Sequence, residues 1–361
     1  MAGLLFASGA GVPRADRLEG PAGEHRIGIW TYGKPLDPPD SERAAFALDD
    51  ATLRLLAARN VYFVFGVNAD HLNDALVGRL TRCREHGIEV HLSVTPTAEG
   101  LDFVNIWSFP SLRPEIESVL AFLNDRGFLD GTITTLVYDM EALPQACFPT
   151  YGLRWEILHG LRRYDEVQCR FREFNGWVTR RYGLRVRICT DIYQALDPLD
   201  GDDDLCRLWG LMSDGCAQMS YMAYRRGDFG PDYVRAHSRL LRNGDTVILN
   251  AWKERSHACW GDLDCAIADA REVVGFPNKG LHVEIWALWY FLKAYGVDGL
   301  RAWVDALAPE PSEWGAMRAD GAHPVAEPAW PAGPTATDAL ILGIRVLDWI
   351  APAFRAVYGV L

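Results

Sequence analysis

The chain has 361 residues, 49% of them hydrophobic and 23% charged, with a net charge of −12. Such a composition supports a large buried core and gives no reason to expect disorder beyond local stretches. The negative charge and the lack of a basic stripe exclude broad phosphate neutralisation, so nucleic acid is not an expected partner and a neutral or cationic small molecule or glycan is.

The first 24 residues form an N-terminal extension that opens MAGLLFASGAG. It is apolar but short, and it lacks the basic residues that begin a secretory signal, which leaves export open as an alternative. Eight short strand-like runs then follow: RIGIWTY (26–32), VYFVFGV (61–67), IEVHLSV (88–94), TITTLVYD (132–139), RVRICTD (185–191), CAQMSYMA (216–223), TVILNAW (246–252) and LHVEIWAL (281–288). Helical patterns lie between them, at Asp49–Arg59, Ala69–His86, Leu112–Arg126, Leu153–Tyr182 and Asp262–Val274, with last helical turns at Tyr290–Tyr295 and Gly299–Leu307. Asn60, Gly87, Gly131 and Gly183 each stand just before a strand, where a helix must stop and the chain reverse. Eight βα units in a row predict a single (β/α)8 barrel of the α/β class over residues 25–308.

Beyond the barrel, 309–336 is a Pro/Gly-rich connector and 337–361 an amphipathic helix. Arg345, Asp348 and Arg355 interrupt that helix, so it is not a membrane span; it packs on the domain, with peripheral contact to a membrane or a partner as the less favoured reading. The eight cysteines contain no CxxC pair. Cys83, Cys169, Cys189 and Cys216 fall inside predicted elements and read as buried thiols, while Cys259 and Cys265 sit in a loop region where pairing is as consistent with the spacing as not. This usage leans towards a reducing, cytoplasmic compartment without deciding the location.

Metal and dinucleotide sites have little support. The histidines show no HxxxH or HxH spacing, GxGxxG does not occur, and GDDDL (201–205), which could attract Ca²⁺, reads more simply as a solvated loop capping the next helix. No cofactor is expected.

The chemistry gathers where TTLVYDMEAL (134–143) ends. Side chains two apart on a strand share a face, so Asp139 and Glu141 should project together, and neighbouring carboxylates in a partly dry place resist ionising at once. Active sites of this barrel form at the C-terminal ends of its strands. Those ends supply Trp30, Tyr32, Asn68, Thr95, Asp139, Glu141, Asp191, Tyr193, Tyr221, Tyr224, Asn250, Trp252, Glu284 and Trp286. Any one of them could be a satisfied core polar group; so many on one rim point to a binding site. With thirteen Trp and thirteen Tyr, aromatic platforms for sugar rings are available, though most aromatic residues of any chain fill its core.

These residues carry a resemblance. LDGTITTLVYDMEAL (129–143) resembles the fourth-strand DxxDxDxE signature of family 18 glycoside hydrolases, the chitinases and endo-β-N-acetylglucosaminidases. Asp139 and Glu141 match its final DxE, whereas Val137 and Thr134 stand where the two earlier acids would be. QMSYMAY (218–224) resembles the sixth-strand Met-x-Tyr-Asp, with Tyr221 in place and Met222 at the Asp position, and Trp286 matches a tryptophan of the eighth strand. The resemblance implies hydrolysis of a glycan containing N-acetylhexosamine. Glu141 would be the general acid/base, Asp139 would assist attack by the substrate's own acetamido group, Tyr221 would hold that group, and Trp286 would floor a sugar subsite.

Two alternatives stand beside it. A glycosidase of another family would pair Glu141 with Glu284 or Asp191, carboxyl groups roughly 5 Å apart indicating retention and roughly 6.5–9.5 Å inversion. A barrel that binds glycans without cutting them would also explain the missing acids.

Overall fold

The computed structural model describes residues 25–31, 48–97, 103–141, 162–197, 204–224, 226, 230, 232–251, 260–277 and 279–307. The N-terminal extension, the connector, the C-terminal helix, Tyr32, Trp252 and Cys259 lie outside the described residues.

All eight expected strands form: β1 (Ile27–Thr31), β2 (Tyr62–Val67), β3 (Val90–Val94), β4 (Ile133–Met140), β5 (Arg185–Thr190), β6 (Gln218–Ala223), β7 (Thr246–Asn250) and β8 (His282–Trp286). Each pairs in parallel with the next and β8 closes on β1, which makes the (β/α)8 barrel. The described helices are α1 (Asp50–Ala58), α2 (Asp74–His86), α3 (Phe109–Asn124), α4 (Tyr164–Tyr182), α5 (Tyr193–Leu196), α6 (Asp204–Trp209), α7 (Tyr233–Leu240), α8 (Leu263–Val274) and α9 (Leu288–Leu307). Among the described residues no helix is long and apolar enough to cross a membrane.

Local chemistry explains the boundaries. Asn60, Gly87, Gly131 and Gly183 all take positive φ, between 52° and 96°, so each reverses the chain from helix into strand as expected. Asp49 and Asp262 accept hydrogen bonds from the first-turn amides of α1 and α8. The two last helical turns merge into α9, with a non-helical kink at Gly296 between them. The sequence pattern missed α5 and α7, which are short and lack several turns of apolar periodicity, whereas α6 is the helix expected after GDDDL and begins at Asp204, inside that stretch.

Alternation along the strands sorts side chains into two cores. Ile27, Ile29, Phe63, Phe65, Leu92, Leu136, Ile188, Val247 and Ile285 face the helices. Trp30, Tyr62, Val64, Val137, Cys189, Met222, Ile248 and Ala287 fill the barrel interior. Gly28 belongs to the inner face too: a Cβ there would stand 2.5 Å from the Tyr62 ring and 2.6 Å from Glu284 Cγ, so only glycine lets those two side chains meet. The cysteine expectation holds for Cys83 and Cys189, which are buried, but Cys169 and Cys216 are partly exposed. Cys169 lies on the outer side of α4, and Cys216 precedes β6 instead of belonging to it.

Candidate active site at the barrel mouth

The interior below the mouth is organised around one carboxylate. Glu284, fully buried on β8, accepts hydrogen bonds from Trp30 Nε1 (2.6 Å) and Tyr62 OH (2.6 Å), and it forms an ion pair with Arg187 of β5. Arg187 Nη1 also reaches Tyr62 OH at 3.1 Å. Burial works against the guanidinium's charge, but Glu284 and Tyr62 outweigh it and hold the group firmly protonated. Burial, followed by the charge of Glu284, raises the Tyr62 hydroxyl well above its ordinary value, so it stays a donor. With its oxygens committed to three side chains and no exposure, Glu284 has no access to a substrate, which corrects the expectation that it lines the site or acts as a second catalytic carboxylate. Trp30 is corrected for the same reason: it is 2% exposed and its indole N–H belongs to Glu284.

A second polar cluster closes the opposite, N-terminal end. Glu89 takes Arg26 at 2.6 Å, Arg185 at 2.9 Å and His91 at 3.0 Å. Burial opposes ionisation of Glu89, yet His91 and Arg26 keep its carboxyl well below the usual carboxylate range. Such polar plugs at the end remote from the mouth read as stability.

The mouth itself begins on β4. Met140 turns outward, its sulfur accepting from Met212 N at 2.9 Å, and therefore Asp139 turns inward. Asp139 pairs across the sheet with Cys189, an interior residue. Burial pushes the Asp139 carboxyl up, a hydrogen bond from Cys189 pulls it down, and the charge of Asp191 pushes it up again, to about 7. Glu141 stands two residues further on, half-buried, and its charge is felt at Cys189. Glu141 follows directly after the end of β4, and Asp191 stands just beyond β5, its charge felt at Asp139.

Aromatic groups complete the rim. Trp286 lies 5.8 Å from the Tyr224 ring and 5.5 Å from the Tyr290 ring, all three half-buried around Met222 and Ala287. Asn250 pairs with Trp286 in register at the ends of β7 and β8. Asn68, just after β2, is half-buried, and its Oδ1 meets no partner among the described residues. Thr95 is tied to the Val67 carbonyl through its backbone N–H at 2.8 Å. Tyr193 opens α5.

Tyr221 does not join them. It packs in the outer core facing the helices, one residue out of phase with Ser220 and Met222, so it cannot hold an acetamido group at the mouth. Among the described residues no cluster of His, Cys, Asp and Glu suits a metal ion. Sequence reasoning overlooked Arg187, Tyr62, Cys189 and Tyr290. For Arg187 and Cys189 a signal existed: in RVRICTD they share a face with Asp191, which puts an arginine inside an otherwise apolar strand.

Fold and rim together define the class: a (β/α)8 barrel whose mouth carries carboxylates from β4 and β5 and aromatic rings from β6 and β8 onward. No protein-family model matches the chain, and no curated protein does. Among solved structures it is similar to a family 1 β-glucosidase from Thermotoga maritima, at 11% identity and a TM-score of 0.42 over 75% of this chain and 89% of that one. It is also similar to a chitinase from Ipomoea carnea, at 12% identity and a TM-score of 0.40 over 77% and 99%. A tryptophan synthase α-subunit from Pyrococcus furiosus stands alongside, at 13% identity and a TM-score of 0.37 over 79% and 98%. Glycoside hydrolases recur among these neighbours, but the likeness is one of fold, and this fold hosts unrelated chemistries.

Proposed function

We propose that the chain is a glycoside hydrolase with Glu141 as general acid/base and Asp139 as its assisting carboxylate. The observation that carries this reading is the inward-facing Asp139, its carboxyl pushed up to about 7, with Glu141 two residues beyond it, just past the end of β4. A carboxylic acid at such a mouth can donate its proton to a departing glycosidic oxygen and recover it from water while a neighbouring carboxylate assists. Trp286, Tyr224 and Tyr290 would offer faces to sugar rings beside these acids, and Asn250 a polar contact.

The substrate is proposed to contain N-acetylhexosamine, with Asp139 orienting the acetamido group and Tyr224, at the mouth, in the supporting place that Tyr221 leaves empty. A second reading takes Asp191 as the partner carboxylate of Glu141, favoured by the charge coupling between Asp191 and Asp139.

The test is hydrolysis of N-acetylated and plain aryl glycosides and oligosaccharides by wild type, Glu141→Gln, Asp139→Asn and Asp191→Asn. Loss of N-acetylhexosaminide cleavage by two or more orders of magnitude in the first two variants supports the proposal. Cleavage of plain glycosides that depends on Glu141 and Asp191 moves the second role to Asp191. A wild type that cuts nothing, yet binds a glycan as well as Glu141→Gln does, makes the barrel a binding protein.

A further inference from the structure

Outboard of the rim, between the ends of β6 and β7 and the helices α7 and α8, lies a cavity of about 210 Å³, counting its opening to solvent. Its walls come from two settings. Val234 of α7 and Leu249 of β7 belong to the outer core, whereas Tyr224 and Asn250 also form the rim, where Tyr224 meets the Trp286 ring and Asn250 stands in register with Trp286. One buried carboxylate holds the polar wall together. Asp269 of α8, 4% exposed, accepts a hydrogen bond from Trp260 Nε1 at 2.8 Å and forms an ion pair with Arg226 at 2.5 Å. Arg226 follows β6 and Trp260 precedes α8, so Asp269 ties the chain leaving β6 to the chain entering α8. All three side chains line the cavity.

We infer that this cavity is a side pocket of the mouth that admits a small hydroxyl-bearing substituent of the bound glycan, such as the hydroxymethyl group of a hexopyranose. Size argues for a substituent: the space is below the roughly 300–1,000 Å³ of pockets that enclose a whole ligand, so it takes a few non-hydrogen atoms and leaves the ring at the rim. Charge argues for a neutral one, because Arg226 brings a cation and Asp269 the anion that balances it. The polar groups suit a hydroxyl. A guanidinium donates, a carboxylate accepts and the Asn250 amide does both, while a hydroxyl can donate and accept at once. Val234 and Leu249 offer apolar cover to the methylene that carries it. The inference rests on the reading that the mouth takes a glycan, but not on cleavage of that glycan.

The experiment is titration calorimetry of the full-length protein with aryl thioglycosides, which resist hydrolysis, in pairs that differ at one substituent. A glucoside is set against a xyloside, which lacks the hydroxymethyl group, and an N-acetylglucosaminide against its 6-deoxy form, which lacks only the hydroxyl. Wild type is expected to bind the complete member of at least one pair about fivefold or more tightly, as one added hydrogen bond gives. Val234→Phe fills the cavity from α7 and should bring that member to the affinity of its incomplete counterpart, whose own binding stays as it was. Val234→Leu, a smaller filling, serves if the phenylalanine variant fails to fold. No preference in either pair, or a preference that survives the filling, overturns the inference.

Cleavage of the matching oxygen-linked glycosides, read in parallel, separates the two ideas. If nothing is cleaved and filling still removes the preference, the hydrolase reading fails and the side pocket stands. If glycosides are cleaved and filling changes nothing, the side pocket fails and the hydrolase reading stands. A wild type that binds none of these glycosides overturns both.

Discussion

Glu284 shows how much one residue's surroundings decide. A carboxylate in a strand of this barrel could be catalytic, but here Trp30, Tyr62 and Arg187 surround it completely. Removing one partner leaves an uncompensated buried charge, so Arg187→Met or Glu284→Gln should each cost about 3–5 kcal/mol, whereas the double replacement should cost less than their sum. Urea unfolding of the four proteins in that cycle measures it. His237 on α7 presents the reverse case. It is buried, neither ring nitrogen has a hydrogen-bond partner among the described residues, and its ring meets Tyr233 edge-on at 5.3 Å. Replacement by phenylalanine keeps that ring contact and removes the unsatisfied groups, so His237→Phe should raise stability at neutral pH by about 1 kcal/mol or more, read from the same unfolding curves.

At the scale of elements, glycine and capping positions fix how the pieces meet. Gly28 on β1 leaves room for the Tyr62 ring and the Glu284 side chain, and Gly28→Ala would drive a methyl to within 2.6 Å of both. The expected loss is about 1–3 kcal/mol, from overpacking the buried interior, and calorimetry of the variant would register it as a lowered Tm. Asp49 caps α1 through Thr52 N at 2.7 Å and also meets Arg301 of α9 at 2.9 Å, so it ties the first helix to the last described one. Asp49→Ala should cost about 1 kcal/mol, nearly all of it from the lost cap, because the ion pair is exposed.

For the whole molecule, the buried histidines set the acid response. Burial lowers His91, His237 and His282 from 6.5 to about 3 each, so all three are neutral in the folded barrel. Below pH 6.5 the unfolded chain takes up protons that the folded chain refuses until about pH 3, and stability present at neutral pH is lost as pH falls through that window. Asp139 acts in the opposite sense: its carboxyl, raised from 3.8 to about 7, holds a proton that the unfolded chain has released, so it adds stability as pH falls from 7 towards 4. With three groups against one, the melting temperature should fall between pH 6.5 and 4.5, and Asp139→Asn should steepen that fall. A shallower fall in the variant would mean that the Asp139 carboxyl is not protonated in the folded state.

The sequence by itself determined the barrel. Each strand run and each reversing residue, such as Gly87 before β3 and Gly183 before β5, acts over a few neighbouring positions, and local sterics carry that information. The run that forms β4 likewise carries Asp139 and Glu141 to the C-terminal end of that strand. Only the tertiary structure decided what each polar side chain meets. Glu284 and Trp30 looked like rim residues until the closing of β8 on β1 brought them together beneath the mouth with Arg187 and Tyr62, which are far away in the chain. Tyr221 satisfied a motif yet faces the helices, because alternation sets it opposite Met222, and which of those two faces turns inward shows only once β6 is paired between β5 and β7. The thiol beside Asp139 was unreadable for the same reason: the partner across a parallel sheet is chosen by register, which depends on contacts among residues far apart in the chain.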